Sequence, residues 1–411
     1  MSLFSSARNA DALVQRLTLA NLAVQSGHQA AYFVGIIGTA TYLLGSDAFG
    51  IAVLLAVVNL SFVIGSATSG IFIDRLGPRR VLVTFEVAYA AIAGAACLLP
   101  LGYRVLVVAS GAMTFIAGCI ATTMTSFPPY LTRERESLKN ANSLVDTAFS
   151  FAIVFGPAVG AMIASVRSPQ AVLAFSSACM LAAAATSIGL RERFDKGDEP
   201  GAEKSAPCGA LAEFTEGLRT TFASADLRFL FLVGFFGFLA YGAFDALESL
   251  FYRDVLRVGV EWMGWLSTIS GIGSVVGSAA LLRIPASRVD FRLVATSLML
   301  AGVGSMVYVG TDLLAVAAIG QALTGFGFGL LMPTQHMLTQ ECCELGQLGR
   351  VNGVMRVGLN SSGVLPLAIS PFLANRFGVQ AVLFSASALV AVMAALFMRG
   401  ARSHDRTRDA S

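Results

Sequence analysis

Apolar residues run through this chain in long blocks, broken at short intervals by charge, glycine and proline. A helix that crosses a hydrocarbon core needs about 20 mostly apolar residues. By that measure the spans fall at 17–43, 50–73, 79–101, 104–128, 140–165 and 169–190, then at 228–252, 261–282, 290–310, 313–338, 350–374 and 379–399. The stretch from Arg191 to Asp226 between the two groups is rich in charge, Gly, Ser and Pro and reads as a solvated linker. The pattern predicts an all-α polytopic membrane protein with twelve transmembrane helices in two six-helix bundles. An N-terminal bundle covers 1–190, a cytoplasmic linker 191–226, a C-terminal bundle 227–400 and a disordered tail 401–411. Inside the linker, Leu211 to Ala223 has helical spacing suited to lying along the membrane surface.

Composition supports the same class. Of 411 residues, 55% are hydrophobic and 13% charged, against about 25% charged in a soluble domain. A net charge of +3 gives no reason to expect nucleic acid as a partner. The placement of the positive charges says more than their sum. With the N-terminus inside, the outer segments hold Arg104, Arg167, Arg253, Arg257 and Arg376, and Arg356 falls within a span. Every other Lys and Arg is cytoplasmic, which predicts both termini on the cytoplasmic side. Met1 to Arg16 has no apolar signal-peptide core, so the first span is expected to stay as a helix. The six cysteines show no zinc spacing, and Cys342-Cys343 reads as a reduced, inert pair in preference to a redox-active one.

The two groups of spans repeat each other. Gln170-Ala171-Val172-Leu173 recurs as Gln380-Ala381-Val382-Leu383, an offset of 210 residues, and at that offset Asn142 meets Asn352. Pro157 and Pro366 fall within one residue of the same register. This supports two parallel repeats about an axis along the membrane normal.

One short stretch between the second and third spans is dense in chemistry: Gly70, Asp74, Arg75, Gly77, Arg79 and Arg80. It has two readings. As an anchor, its arginines bind lipid phosphates and Asp74 balances them. As a conformational latch, Asp74 meets exposed N–H groups at a helix start, or a nearby cation, when the cytoplasmic side is closed. The spacing Gly-x-x-x-Asp-Arg-x-Gly-x-Arg-Arg resembles the signature loop of the major facilitator superfamily, with every fixed position met. The resemblance implies that family's twelve-helix fold, and a latch packing against the eleventh helix, which here starts near Gly349. Gly156-Pro157-Ala158-Val159-Gly160-Ala161 resembles the fifth-helix antiporter motif found mainly in exporters. Ala161 and Ala152 stand where that motif has glycine. A plain packing kink is the competing reading. Phe127-Pro128-Pro129-Tyr130-Leu131, Asn140-Ala141-Asn142-Ser143-Leu144 and Leu250 to Leu256 are similar to the macrolide-efflux and enterobactin-exporter branch. The family's fourth-helix arginine motif is not met, since Thr114 stands at the arginine position.

Ionisable groups inside a membrane are functional candidates by default. His28 lies about 16 Å into the first span at 1.5 Å per residue, with Gln25 and Gln29 beside it and Asn21 two turns below. It could exchange a proton, or it could bond to a neighbouring helix. Asp245 and Glu248 share a face of the seventh span with Tyr241 and Tyr252. They could attract a cation or couple protons. The structural alternatives are an internal hydrogen bond for Asp245 and a solvated helix end for Glu248. Asp146 and Arg356 match at offset 210 and could act as gate charges or snorkel to water. No Walker-type loop, His-Glu-x-x-His or Gly-x-Ser-x-Gly motif is present. The sequence therefore points away from an enzyme, a metal site, a cofactor and ATP. The expectation is a secondary transporter of the bacterial inner membrane, monomeric in the lipid bilayer. It works by alternating access and exports a small amphipathic compound on the proton gradient, with substrate bound at the midplane. A proton-coupled nutrient importer and a non-transporting sensor are the alternatives.

Overall fold

The computed structural model describes residues 12–132, 135–192, 210–239, 241–285, 288–343 and 347–409. All regular structure among them is helical. Contacts divide the chain into two units, Met1–Gly201 with Val258–Thr268, and Ala202–Arg257 with Ile269–Ser411. Eleven helices are long and apolar enough to cross a membrane among the described residues. The first predicted span is not one of them. It is an unbroken helical run that begins as α1 (Ala12–Ala30) and widens into π-helical turns over Ala31–Ile37 and Thr39–Leu43.

The first unit continues with α2 (Ala48–Leu76), α3 (Pro78–Leu98), α4 (Tyr103–Ser126), α5 (Arg135–Val166) and α6 (Val172–Ile188). Asp47 starts α2 by accepting the Gly50 N–H at 2.8 Å, which satisfies one of the donors a helix start leaves open. α1 packs on α5 and α6, α2 on α4, and α3 on α6. The α2–α4 contact is close because it is built on glycine: a Cβ on Gly65 would collide with the Phe115 carbonyl, and one on Gly118 with that of Phe62.

The second unit holds α7 (Ala210–Ala223), α8 (Ala225–Leu239), α9 (Tyr241–Leu250, then a π turn over Phe251–Val255) and α10 (Glu261–Leu281). α11 (Phe291–Val309), α12 (Leu314–Glu341), α13 (Leu348–Ser362), α14 (Val364–Phe377) and α15 (Val379–Asp409) follow. The first eight residues of α10 group with the first unit and the remainder with the second. α10 and α12 repeat the glycine contact of α2 and α4. A Cβ on Gly325 or Gly329 would strike the Ser270 or Ser274 carbonyl. The repeated glutamine also keeps one job. Gln170 Nε2 donates to the Ala96 and Leu99 carbonyls at 2.8 Å, at the end of α3. Gln380 Nε2 donates to the Val309 carbonyl at 2.9 Å, at the end of α11.

Two linker and tail expectations change. The helix expected within the linker forms, as α7, but it packs on α13. Gly217 lies against the Arg350 carbonyl, Thr221 is fully buried, and Arg350 Nη1 pairs with Glu216 Oε1 at 2.8 Å. Residues 193–209 of the linker lie outside the described residues. The backbone expected to be a disordered tail from 401 is helical to Asp409. Once a helix is nucleated, each further residue adds a hydrogen bond at little cost.

Candidate functional site

The reversal between α2 and α3 is sharper than the sequence suggests. α2 stays helical through Asp74 and Arg75 to Leu76, and α3 begins at Pro78, so Gly77 alone makes the turn. Its φ of +81° is a conformation that only glycine adopts without strain. Gly70 faces open space, with nothing near the place a side chain would occupy. Asp74, Arg75 and Arg80 are exposed. Arg79 is engaged within its own unit: its guanidinium donates to the Ile188 carbonyl at 2.6 Å, and its backbone N–H donates to Glu192 Oε1 at 3.1 Å.

The antiporter-like segment packs on both sides within the first unit. Gly156 brings α5 against α1, where an added Cβ would sit 2.7 Å from the Ser26 carbonyl oxygen. Gly160 does the same against Val34, at 3.0 Å. On another face, Gly264 lies against the Pro157 carbonyl and the Ala161 methyl. A glycine is thus supplied by the partner helix where this chain has Ala161 in place of the motif's glycine. Thr114, at the missing arginine position, is buried and turns its hydroxyl back to the Ser110 carbonyl at 2.7 Å. Asp146 and Arg356 are each exposed.

His28 reaches across to α3, with Nδ1 3.3 Å from the Tyr89 hydroxyl. That is the neighbouring-helix bond among the two readings. The ring also lies near Tyr32 and Tyr89, at centroid distances of 6.5 and 6.2 Å. Tyr89 is fully buried, and Ser176 of α6 lies 3.5 Å from its hydroxyl. Asn21 donates to the Val145 carbonyl of α5 at 3.0 Å, and Gln25 is buried. The polar stripe of α1 therefore serves helix packing at both its ends.

The most developed cluster is in the second unit. Glu248 and Tyr252 are four residues apart, so they share a helix face. Tyr308 comes from the last turn of α11 and Gln321 from the second turn of α12. All three donate to Glu248 Oε1: Tyr252 at 2.9 Å, Tyr308 at 2.8 Å and Gln321 Nε2 at 3.0 Å. Tyr308 is 1% exposed and is walled by Phe251, edge-on at 5.4 Å, and Phe244, stacked at 6.1 Å. Three donors converging on one oxygen inside an apolar wall fix the side chain in place. Glu248 is thus an anchored carboxyl, which replaces the reading of it as a solvated helix end. Asp245, one turn earlier, is exposed. Tyr308 and Gln321 lie 60 and 73 residues from Glu248, beyond any sequence window.

Sequence reasoning overlooks Glu86. It sits in α3, is 0% exposed, and accepts one hydrogen bond, from Ser187 Oγ at 3.1 Å. Its Oε2 has no partner. The signal was present as the one acid within the span 79–101. Among the described residues no group of three or more His, Cys, Asp or Glu could hold a metal ion.

A family model described as Major Facilitator Superfamily matches residues 19–367. The multidrug efflux pump Tap of Mycolicibacterium fortuitum is 24% identical over 343 residues, 80% of this chain and 81% of that protein. Among solved structures, a peptide transporter POT in complex with sulfate superposes with a TM-score of 0.72 at 11% identity, over 99% of both chains. The nucleoside transporter NupG superposes with a TM-score of 0.68 at 12% identity, over 95% of this chain and 99% of that one. An inward-facing bacterial homologue of the lysosomal transporter Spinster gives 0.71 at 13%, over 95% and 96%. At these identities the likeness to solved structures is one of fold.

Proposed function

The chain belongs to the Major Facilitator Superfamily, and from that premise we propose that it exports a small amphipathic compound by alternating access, driven by the proton gradient. It is a multi-pass membrane transporter and not an enzyme. The Tap relative supports export over import. The proposed setting is the bacterial inner membrane, with both termini cytoplasmic and the protein acting as a monomer.

One observation carries the coupling: the Glu248 carboxylate, held at one oxygen by three donors while Asp245 stands exposed a turn away. Two acids this close on one helix face repel each other when both are charged, so the loading of one responds to the other. Asp245 is the group open to exchange, and Glu248, held in place by its three donors, is the acid that sets its readiness. His28, bonded to Tyr89, is given no part in coupling. Asp74 is proposed as the latch.

The test is transport of a fluorescent amphipathic cation in proteoliposomes carrying an imposed pH gradient. Export should collapse when a protonophore dissipates the gradient. Undiminished export would rule out proton antiport. Sorting the vesicles by orientation separates export from import, because the dye must move against the proton flux only in the first case.

A further inference from the structure

Glu86 is the least satisfied charged side chain in the described structure, and the transport reading makes no use of it. It lies in α3, about 12 Å from Pro78 at 1.5 Å per residue, with no accessible surface. Leu82 and Ala90, four residues to either side on the same helix face, are both buried in the apolar core of the first unit. Ser187 serves one oxygen, and the other is bare. A carboxylate with a bare oxygen in such a place is penalised by several kcal/mol unless it is paired or neutralised.

The nearby cations are already engaged. Arg16 of α1 donates to the Gly189 carbonyl at 2.8 Å, and Arg79 of α3 donates to the Ile188 carbonyl at 2.6 Å. Three consecutive residues at the end of α6 are therefore pinned: Ser187 to Glu86, Ile188 to Arg79 and Gly189 to Arg16. Glu192, just beyond, accepts the Arg79 backbone N–H. The other titratable groups on the packed elements are Arg80, Tyr89 and Cys97 on α3, His28 on α1, Tyr103, Arg104 and Cys119 on α4, and Cys179 on α6. Tyr89 and His28 bond to each other, and Cys179 lies beside Gly27 of α1. Asp74 and Arg75 at the end of α2 are exposed.

We propose that Glu86 is a proton-binding site within the first unit, occupied by a proton when the end of α6 is pinned and opened to cytoplasmic water when Arg16 and Arg79 release it. The ligand is a single proton. It adds to Oε2 to give the neutral carboxylic acid while Oε1 keeps the Ser187 bond, and on opening it leaves to water as hydronium. The arginines act as a cover. They hold the α6 carbonyls that shield the acid and make no bond to Glu86 itself. The cytoplasmic direction of opening rests on the membrane orientation proposed above, but the protonation does not.

The first test is infrared difference spectroscopy of the full chain in lipid at pH 7, wild type against Glu86→Gln. The expected result is a protonated-acid carbonyl band, shifted by deuterium, that is present in the wild type and missing in the variant. Equal spectra in that region would overturn the proposal. The second test needs no Glu86 variant and decides the matter if that variant does not fold. Dicyclohexylcarbodiimide, which is apolar and attacks protonated acids, should modify Glu86, as read by peptide mass spectrometry. A water-soluble carbodiimide should leave it untouched until Arg79→Ala uncovers it. An unmodified Glu86 with the apolar reagent, or equal water-soluble labelling with and without Arg79, would count against the site and its cover respectively. Neither readout involves transport, so failure here is separable from failure of the export reading.

Discussion

Glu86 and Glu248 are the same residue type, each placed inside an apolar bundle, and the two units treat them differently. Glu248 receives three donors on one oxygen, from three helices of the second unit. Glu86 receives one, and its second oxygen has none. A buried carboxyl is supported by what points at it more than by where it lies. The number of donors therefore separates a carboxyl held in place from one left half-satisfied.

Replacing each acid with leucine should expose the contrast most strongly. Glu248→Leu orphans two tyrosine hydroxyls and an amide, at about 1–3 kcal/mol for each buried donor left unpaired. Glu86→Leu orphans only Ser187, whose hydroxyl can turn back to its own helix as many others here do, so its loss should stay within about 1 kcal/mol. Thermal unfolding in detergent measures both, and equal losses would erase the distinction. Removing one donor is the next step down: Tyr308→Phe should cost about 1–3 kcal/mol and alter the pH profile of transport, because Glu248 is then less firmly anchored. In the first unit, His28→Ala should cost about 1 kcal/mol through its lost bond to Tyr89 and leave the pH profile unchanged. A moved profile would bring His28 into coupling and break the assignment of coupling to the second unit. The smallest effect on stability, within about 0.5 kcal/mol, is expected for Asp74→Asn, an exposed position. Its effect should appear instead as greater labelling of cytoplasmic-side cysteines and slower transport. Unchanged labelling with full transport would leave Asp74 as a charge-balancing residue.

Much of this architecture is legible in the sequence because lipid imposes a strict length and polarity rule on each helix. Eleven of the twelve expected spans follow from that rule among the described residues, and the repeat read from Gln170 and Gln380 is matched by two like staples. The candidate sites are legible only where spacing is local. Tyr252 is visible from Glu248 at i+4, whereas Tyr308 and Gln321 reach it through tertiary packing. The π-helical turns after Ala30 leave no mark in composition, since Ala31 to Ile37 would suit an ordinary α-helix equally well. Glu86 is a different case. Its charge stands alone in an apolar run and is visible at once, but only the bare Oε2 shows that no partner awaits it.

The Gly77 joint has a consequence for how the chain tolerates insertions and deletions. Most surface connections absorb an extra residue by bulging outward. Here one glycine separates a 29-residue helix from a 21-residue helix, and there is no slack to take up. A residue inserted in the first turn of α3, between Arg79 and Glu86, would rotate one against the other by about 100°. Arg79 could then no longer reach the end of α6 while Glu86 met Ser187. Length variation should be confined to places such as the linker before α7, and this corner should accept substitutions at its exposed charges but no change in residue count.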